Sequence, residues 1–376
     1  DHPDHLYITN DYIVTHNTFS AIKALQEIGV RSLITMTSRL EQWVDEIVNF
    51  TSLDEDDLYV VQGVGSLTKL FSQIDEQIKP KIILVSTKTM RLYLDYGPTY
   101  QHIPNPSDMC EKLKVGIICS DEFHEHFYTN YLMGLILNPS VFLPITATFI
   151  ANDPFVKNIF DQFIPKDVQF VGGEYSKYVH VTAYTYTSGG FYIKPFHYMS
   201  PQGYSQTKFE KFLLGRGRKV LDGFTQDAII PLIKNHYINI ADKGEKLLLL
   251  CGTIDFCNYL EDVLRRTFKD KTTSVFYSGK PTTVLEKFDI IISTPGSAGT
   301  GRDVKNLRTC FVLDNTGSEI RNLQFIGRLR DFPSVKNPPE FIYISYSGIT
   351  QHVKYHNLRA MLYGPRALTF KHRTIS

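Results

Sequence analysis

The chain has 376 residues, 43% of them hydrophobic and 21% charged, with a formal net charge of +1. That is enough for two or three domains with ordinary globular cores, and it excludes a polybasic chain while leaving room for a local basic groove. No apolar run approaches the ~18 residues a membrane span needs, and nothing resembles a signal peptide, so a soluble, cytoplasmic protein is expected.

In chain order, residues 5–18 read H-L-Y-I-T-N-D-Y-I-V-T-H-N-T. Their alternation predicts a pair of strands turning at Asn10-Asp11. After Thr18, short apolar runs alternate with amphipathic stretches. Strands are predicted at Leu33–Met36, Leu58–Val61, Ile82–Ser86, Val115–Cys119 and Phe142–Thr146, with helices such as Phe19–Ile28 and Leu40–Phe50 between them. This is the pattern of an α/β domain built on a parallel sheet.

From about Asp167 the texture changes. Val168–Met199, rich in Tyr, Val and Thr, predicts irregular β structure. Tyr204–Tyr237 turns helical and carries Lys208, Lys211, Arg216, Arg218 and Lys219, either a solvated face or a nucleic-acid contact. A second α/β unit follows from Leu247, and the last ~30 residues read as a helical or loose basic tail. The expected division is a segment 1–17, α/β units at 18–166 and 241–345, a linker or insertion at 167–240, and a tail at 346–376. The five scattered cysteines (Cys110, Cys119, Cys251, Cys257, Cys310) lack zinc-ligand spacing and are expected as reduced, buried thiols.

The chemistry concentrates at predicted strand ends. Gly116–His124 delivers Asp121 and Glu122 from the end of an apolar strand, where open α/β sheets bind ligands. One carboxylate can hold Mg²⁺ and the other can orient a water that attacks a γ-phosphate, with His124 sensing nucleotide from the same turn. Thr146-Ala-Thr148 can hydrogen-bond this acidic turn and couple it to a facing domain. Ser38, Arg39 and Gln42, and Thr87 and Lys88, each follow a strand and could hold nucleic-acid phosphates, although for either run alone a plain helix cap is the better explanation. In the second unit, Ser293 and Thr294 lead into a glycine-rich loop whose Gly301 and Asp303 suit a phosphate or ribose. Gln324-Phe-Ile-Gly327-Arg328-Leu-Arg330 puts two arginines on one segment, candidates for a finger in phosphoryl transfer.

As an ordered set these runs closely resemble the superfamily-2 (DExH-type) helicases and translocases, over roughly Thr18 to Ser345. Asp121-Glu122-x-His124 matches the family's second motif, Thr146-Ala-Thr148 the third, Ser293–Asp303 the fifth and Gln324–Arg330 the sixth. The resemblance implies two RecA-like domains, ATP and Mg²⁺ as cofactors, and DNA or RNA as partner, with DNA favoured. It also implies catalytic roles for Asp121, Glu122, His124, Gln324, Arg328 and Arg330. The sixth motif departs from the family pattern, with Asp331 where its last arginine stands, which favours Arg328 as the finger.

The family's first motif, G-x-x-G-x-G-K-[ST], is absent except for its last residue. Where Gly-Lys should stand, the chain has His16-Asn17, and 5–18 resembles the C-terminal end of an intein. The resemblance implies that Thr18 takes up an upstream acyl group, Asn17 cyclises and cuts the Asn17–Thr18 bond, and His16 protonates the departing amine. Splicing would join Thr18 to an upstream Gly-Lys, after which its hydroxyl would bind Mg²⁺. The chain, which begins at Asp1 without a methionine, is then expected to be the C-terminal part of an intein-interrupted, phage-like helicase, inactive alone and lacking its N-terminal extein and intein portion. The alternatives are a duplex translocase or restriction-type motor that separates no strands, and a degenerate module that binds nucleic acid without hydrolysis.

Overall fold

A computed structural model describes residues 17–37, 40–99, 102–146, 153–169, 177–187, 192–277, 279–298, 304–329 and 337–375. The chain divides into two compact units, residues 1–171 and 172–376.

In the first unit, α1 (Asn17–Ile28) leads to β1 (Ser32–Met36), α2 (Leu40–Phe50), β2 (Leu58–Val61), α3 (Val64–Gln73), β3 (Ile82–Ser86) and α4 (Thr87–Tyr96). Then follow α5 (Met109–Leu113), β4 (Ile117–Ser120), α6 (Phe127–Ile136), β5 (Val141–Pro144) and α7 (Pro154–Phe163). The strands form one parallel sheet in the order β2-β3-β1-β4-β5. Runs such as Ser-Leu-Ile-Thr-Met and Ile-Ile-Cys-Ser are buried along their length, as a sheet covered on both faces requires.

The helices divide between those faces. Ala21, Ile22 and Leu25 of α1 and Trp43 and Ile47 of α2 pack with Ile34, Leu84 and Cys119 on one face. Leu67 and Leu70 of α3, Met90 and Tyr93 of α4 and Met133 of α6 pack with Leu33, Ile83 and Ile118 on the other. Every connection to a strand on the β5 side runs across the second face, and the one connection in the other direction, through α2, crosses the first. All therefore share one hand.

In the second unit, β6 (Val179–Tyr186) is followed by a small hairpin, β7 (Met199–Ser200) and β8 (Gly203–Tyr204), and by α8 (Gln206–Leu214) and α9 (Arg218–Phe224). From α9 the chain stays helical to residue 238 through two π turns, Thr225–Ile229 and Lys234–Ile238. Next come β9 (Lys246–Leu250), α10 (Ile254–Thr267), β10 (Thr273–Phe276), α11 (Thr283–Lys287), β11 (Ile290–Ser293) and β12 (Leu307–Val312). The unit ends with α12 (Glu319–Ile326), β13 (Glu340–Tyr346), α13 (Thr350–Tyr363) and β14 (Ala367–Ile375). Seven strands form a parallel sheet in the order β10-β11-β9-β12-β13-β6-β14.

The expected fold class, α/β with parallel sheets in two units, is what the chain adopts. The boundaries expected for the second unit need correcting. The run read as irregular β structure contains β6, paired from Val179 to Tyr186, and the expected tail supplies both α13 and the edge strand β14. Segments 167–240 and 346–376 thus contribute strands to the second sheet. β14 (Thr-Phe-Lys-His-Arg-Thr) is polar because it is the exposed edge strand, whereas β6 (Val-His-Val-Thr-Ala-Tyr-Thr-Tyr), paired on both sides, is mostly buried. The five cysteines are free and buried.

Candidate active site

At the end of β4 the ladder hydrogen bonds continue past the strand and fasten the acidic turn. Asp121 N–H donates to Thr35 O (2.8 Å) near the end of β1, and Phe123 N–H donates to Ile145 O (2.9 Å) just past β5. From α6, the buried Asn130 donates its amide to Phe123 O (2.9 Å). Glu122 is held at φ 47°, in the left-handed region that a residue with a Cβ rarely adopts. Strain of this kind, costing about 1–3 kcal/mol, persists where surrounding contacts over-determine the backbone, and it clusters at functional sites.

Both oxygens of Asp121 have donors. Oδ1 accepts from Glu122 N–H (3.0 Å), and Oδ2 accepts from the indole Nε1–H of Trp43 (3.0 Å). Trp43 is 3% exposed and is the chain's one tryptophan. It stood beside Gln42 in the sequence without a role, because nothing in a lone tryptophan says which way its N–H points.

His124 Nδ1 lies 2.7 Å from Thr146 Oγ1 and 3.3 Å from Glu122 Oε2. Burial lowers the His124 pKa, opposed by the charge of Glu125, so the ring is neutral at pH 7 and its approach to Glu122 is no ion pair. The contact anticipated between the threonine run and the acidic turn is therefore present through Thr146; Thr148 lies outside the described residues.

The remaining first-unit candidates separate by exposure. Gln42 is half-buried and donates to Glu46 Oε1 one helical turn on (2.8 Å). Thr87 is buried and Lys88 exposed, so of that pair only the lysine is presented to solvent. The cap of α4 is Ser86, whose Oγ accepts from Thr89 N–H. Ser38, Arg39 and His16 lie outside the described residues; Asn17 and Thr18 open α1, and their side chains lie outside them too.

In the second unit, Ser293 is fully buried and donates to Phe276 O (2.6 Å), which withdraws it from any phosphate, while Thr294 donates to Ser297 Oγ (3.0 Å). Gly301, Asp303 and Arg330 lie outside the described residues. On α12, Gln324 is half-buried. Arg328 is 8% exposed and close enough to Cys310 to oppose the burial that pushes that thiol up to about 12.

A buried polar node fixes α12. Arg359 of α13, fully buried, donates to Asn322 Oδ1 (2.8 Å), Asn315 Oδ1 (3.1 Å) and Asp314 O (2.6 Å), and Tyr363 donates to Asn322 O (3.3 Å). A second node lies where β9 gives way to α10. There the buried Glu210 accepts from Gly252 N–H (2.7 Å), Thr253 Oγ1–H (2.6 Å) and Gln206 Nε2–H (2.9 Å). Burial pushes the Glu210 carboxyl up to about 7, against these donors. Neither node was visible in the sequence, since each joins residues far apart in the chain.

The basic run keeps Lys208, Lys211, Arg216, Arg218 and Lys219 exposed. Two have local partners: Lys208 donates to Met199 O (2.9 Å), and Arg218 pairs with Asp222 (3.1 Å) and lies over the Tyr259 ring. Among the described residues no cluster of three metal-ligating side chains occurs, and no helix is long and apolar enough to cross a membrane.

No protein-family model matches the sequence, and no curated protein does. Solved structures do. The chain is similar to Dbp5 of S. cerevisiae bound to RNA and ADP BeF3, at 12% identity and a TM-score of 0.56, over 96% of this chain and 83% of that one. It is also similar to Mss116p bound to ssRNA and AMP-PNP (12%, 0.55, 96% and 67%) and to the helicase MrfA bound to DNA (12%, 0.54, 93% and 44%). The chain shares its fold with these three structures. At this identity the likeness is one of fold, two RecA-like units of parallel sheet, and the chemistry must be argued from the residues.

Proposed function

We propose that the chain is the C-terminal part of an ATP-driven nucleic-acid helicase, with DNA the favoured substrate, completed by splicing at the Asn17–Thr18 bond. The observation that carries this reading is the acidic turn after β4. It is pinned to the ends of β1 and β5, strained at Glu122, and joined by His124 to Thr146. Asp121 offers oxygen ligands already oriented by neighbouring donors, which fits Mg²⁺, a cation commonly held by one or two carboxylates together with substrate phosphates. In this reading Asp121 and the Thr18 hydroxyl hold Mg²⁺, Glu122 orients the attacking water, and the neutral His124 reports on nucleotide through Thr146. The bound cation would supply charge neutralisation at the phosphates. Asp303 and an arginine of the Gln324–Arg330 segment belong to the same reaction, and Lys88 and the exposed basic run from Lys208 to Lys219 to strand binding.

The sheet itself supports an upstream phosphate loop. A strand that feeds α1, and through it β1, must lie on the β5 side of β1 for its connection to share the hand of the others, because α1 covers the same face as α2. Both positions on that side are filled by β4 and β5, so the strand belongs outside β5, where no strand is paired among the described residues. Val141 on that edge is 44% exposed. A strand ending just before Thr18 in the spliced protein would put a Gly-Lys turn beside Asp121.

Binding of a fluorescein-labelled single-stranded oligonucleotide tests the nucleic-acid half of this reading. Affinity is expected to fall steeply with salt and to drop when Lys211, Arg216 and Lys219 are replaced together by Gln. An oligonucleotide that does not bind, or binds independently of salt, would sink it.

A further inference from the structure

We propose that Trp43 is a positioning residue for the acidic box, its indole N–H fixing the carboxylate of Asp121 in the orientation that a divalent cation uses. The inference rests on the reading of Asp121 as the metal-holding carboxylate and adds to it a residue no motif contains.

The two residues are 78 positions apart, and Trp43 Nε1 donates to Asp121 Oδ2 at 3.0 Å. Glu122 N–H holds Oδ1, so the plane of the carboxylate is set from two directions. The indole cannot swing away. It is 3% exposed and belongs to the core cluster built from Ala21, Ile22 and Leu25 of α1, Ile34 of β1 and Cys119 of β4. One side chain thereby ties α1, the helix that Thr18 opens, to the carboxylate at the end of β4. Because Trp43 follows Gln42 on the first turn of α2, a strand bound at that turn would pull on the same indole.

Donors that orient a ligating carboxylate from behind the ligand shell change metal affinity when removed, typically by 10–100-fold. A merely structural tryptophan would change stability instead. Trp43→Phe separates the two roles, since it keeps an aromatic ring in the core and deletes the N–H.

The test uses the chain itself, with Mn²⁺ alone as probe and free Mn²⁺ read by electron paramagnetic resonance, alongside the single indole N–H resonance of the ¹⁵N-labelled chain. Expected results are Mn²⁺ binding by the wild type, about 10-fold weaker binding by Trp43→Phe at a temperature where that variant is still fully folded, and none by Asp121→Asn. Asp121→Asn should also move the indole resonance. Equal Mn²⁺ affinity in wild type and Trp43→Phe overturns the inference and leaves the metal reading standing. A Trp43→Phe chain that binds weakly only because it melts early overturns it as well, as does an indole resonance that ignores Asp121→Asn. A wild type that binds no Mn²⁺ overturns the metal reading of Asp121 and the inference with it.

Discussion

His124 Nδ1 stands 2.7 Å from Thr146 Oγ1, a bond between the turn after β4 and the end of β5 that joins two runs 22 residues apart. It gives the acidic box a physical link to the neighbouring strand, and it keeps a neutral imidazole at the mouth of the sheet.

Removing that link should be felt locally. Thr146→Val keeps the shape and deletes the hydroxyl, and it should cost about 1 kcal/mol of stability in urea unfolding. His124 should keep a pKa below the ordinary imidazole value in the variant, because burial is the largest cause of its shift; an NMR titration reads this directly.

The pH dependence of stability has two opposed contributions in the second unit. His352, fully buried and accepting from Tyr346 N–H through Nδ1, has its pKa driven well below 6.5 by burial, with Arg359 acting in the same direction. The unfolded chain takes up this proton first, so stability falls as pH drops below 6.5. Glu210, raised by burial from 4.5 to about 7, does the reverse: the folded state keeps its proton longer, and stability falls as pH rises from 4.5 to 7, by at most about 3 kcal/mol. His352→Gln should therefore remove part of the acid-side loss. Glu210→Gln should gain ground on the wild type as pH rises through that window. Chemical unfolding at pH 5, 6 and 7 gives both slopes.

Arg359 should prove among the most sensitive positions of the second unit. Arg359→Met strips donors from Asn322, Asn315 and Asp314 O in a dry site, an expected cost of about 3 kcal/mol or more. Arg359→Lys should restore little of it, since a point charge cannot serve three acceptors in a planar fork. Hydrogen exchange should speed up first along α12, the helix that carries Gln324.

Much of this molecule is written locally in its sequence. Runs such as Ile82–Val85 and Leu247–Leu250 are short and wholly apolar, as buried parallel strands are, and the acidic pair after β4 announced itself by standing at a strand end. What local patterns could not carry was pairing across the chain. β14 looks like a tail because it is an exposed edge strand, and β6 looks like a linker because its partners, β13 and β14, come more than 150 residues later. Trp43, Asn322, Arg359 and Glu210 matter through partners 37 to 78 residues away. Thr87 and Ser293 have the residue type a phosphate site needs, but both are buried, which no spacing rule reports.

The central claim is that this chain becomes an ATPase when an upstream Gly-Lys is joined to Thr18. The most direct test is phosphate release from ATP, with and without single-stranded nucleic acid, by the chain alone and by the product of co-expression with the reading frame upstream of Asp1. The account predicts no hydrolysis by the chain alone, and stimulated hydrolysis by a product that has lost residues 1–17, abolished by Asp121→Asn. Hydrolysis by the isolated chain, or a joined product that leaves ATP untouched, would contradict it.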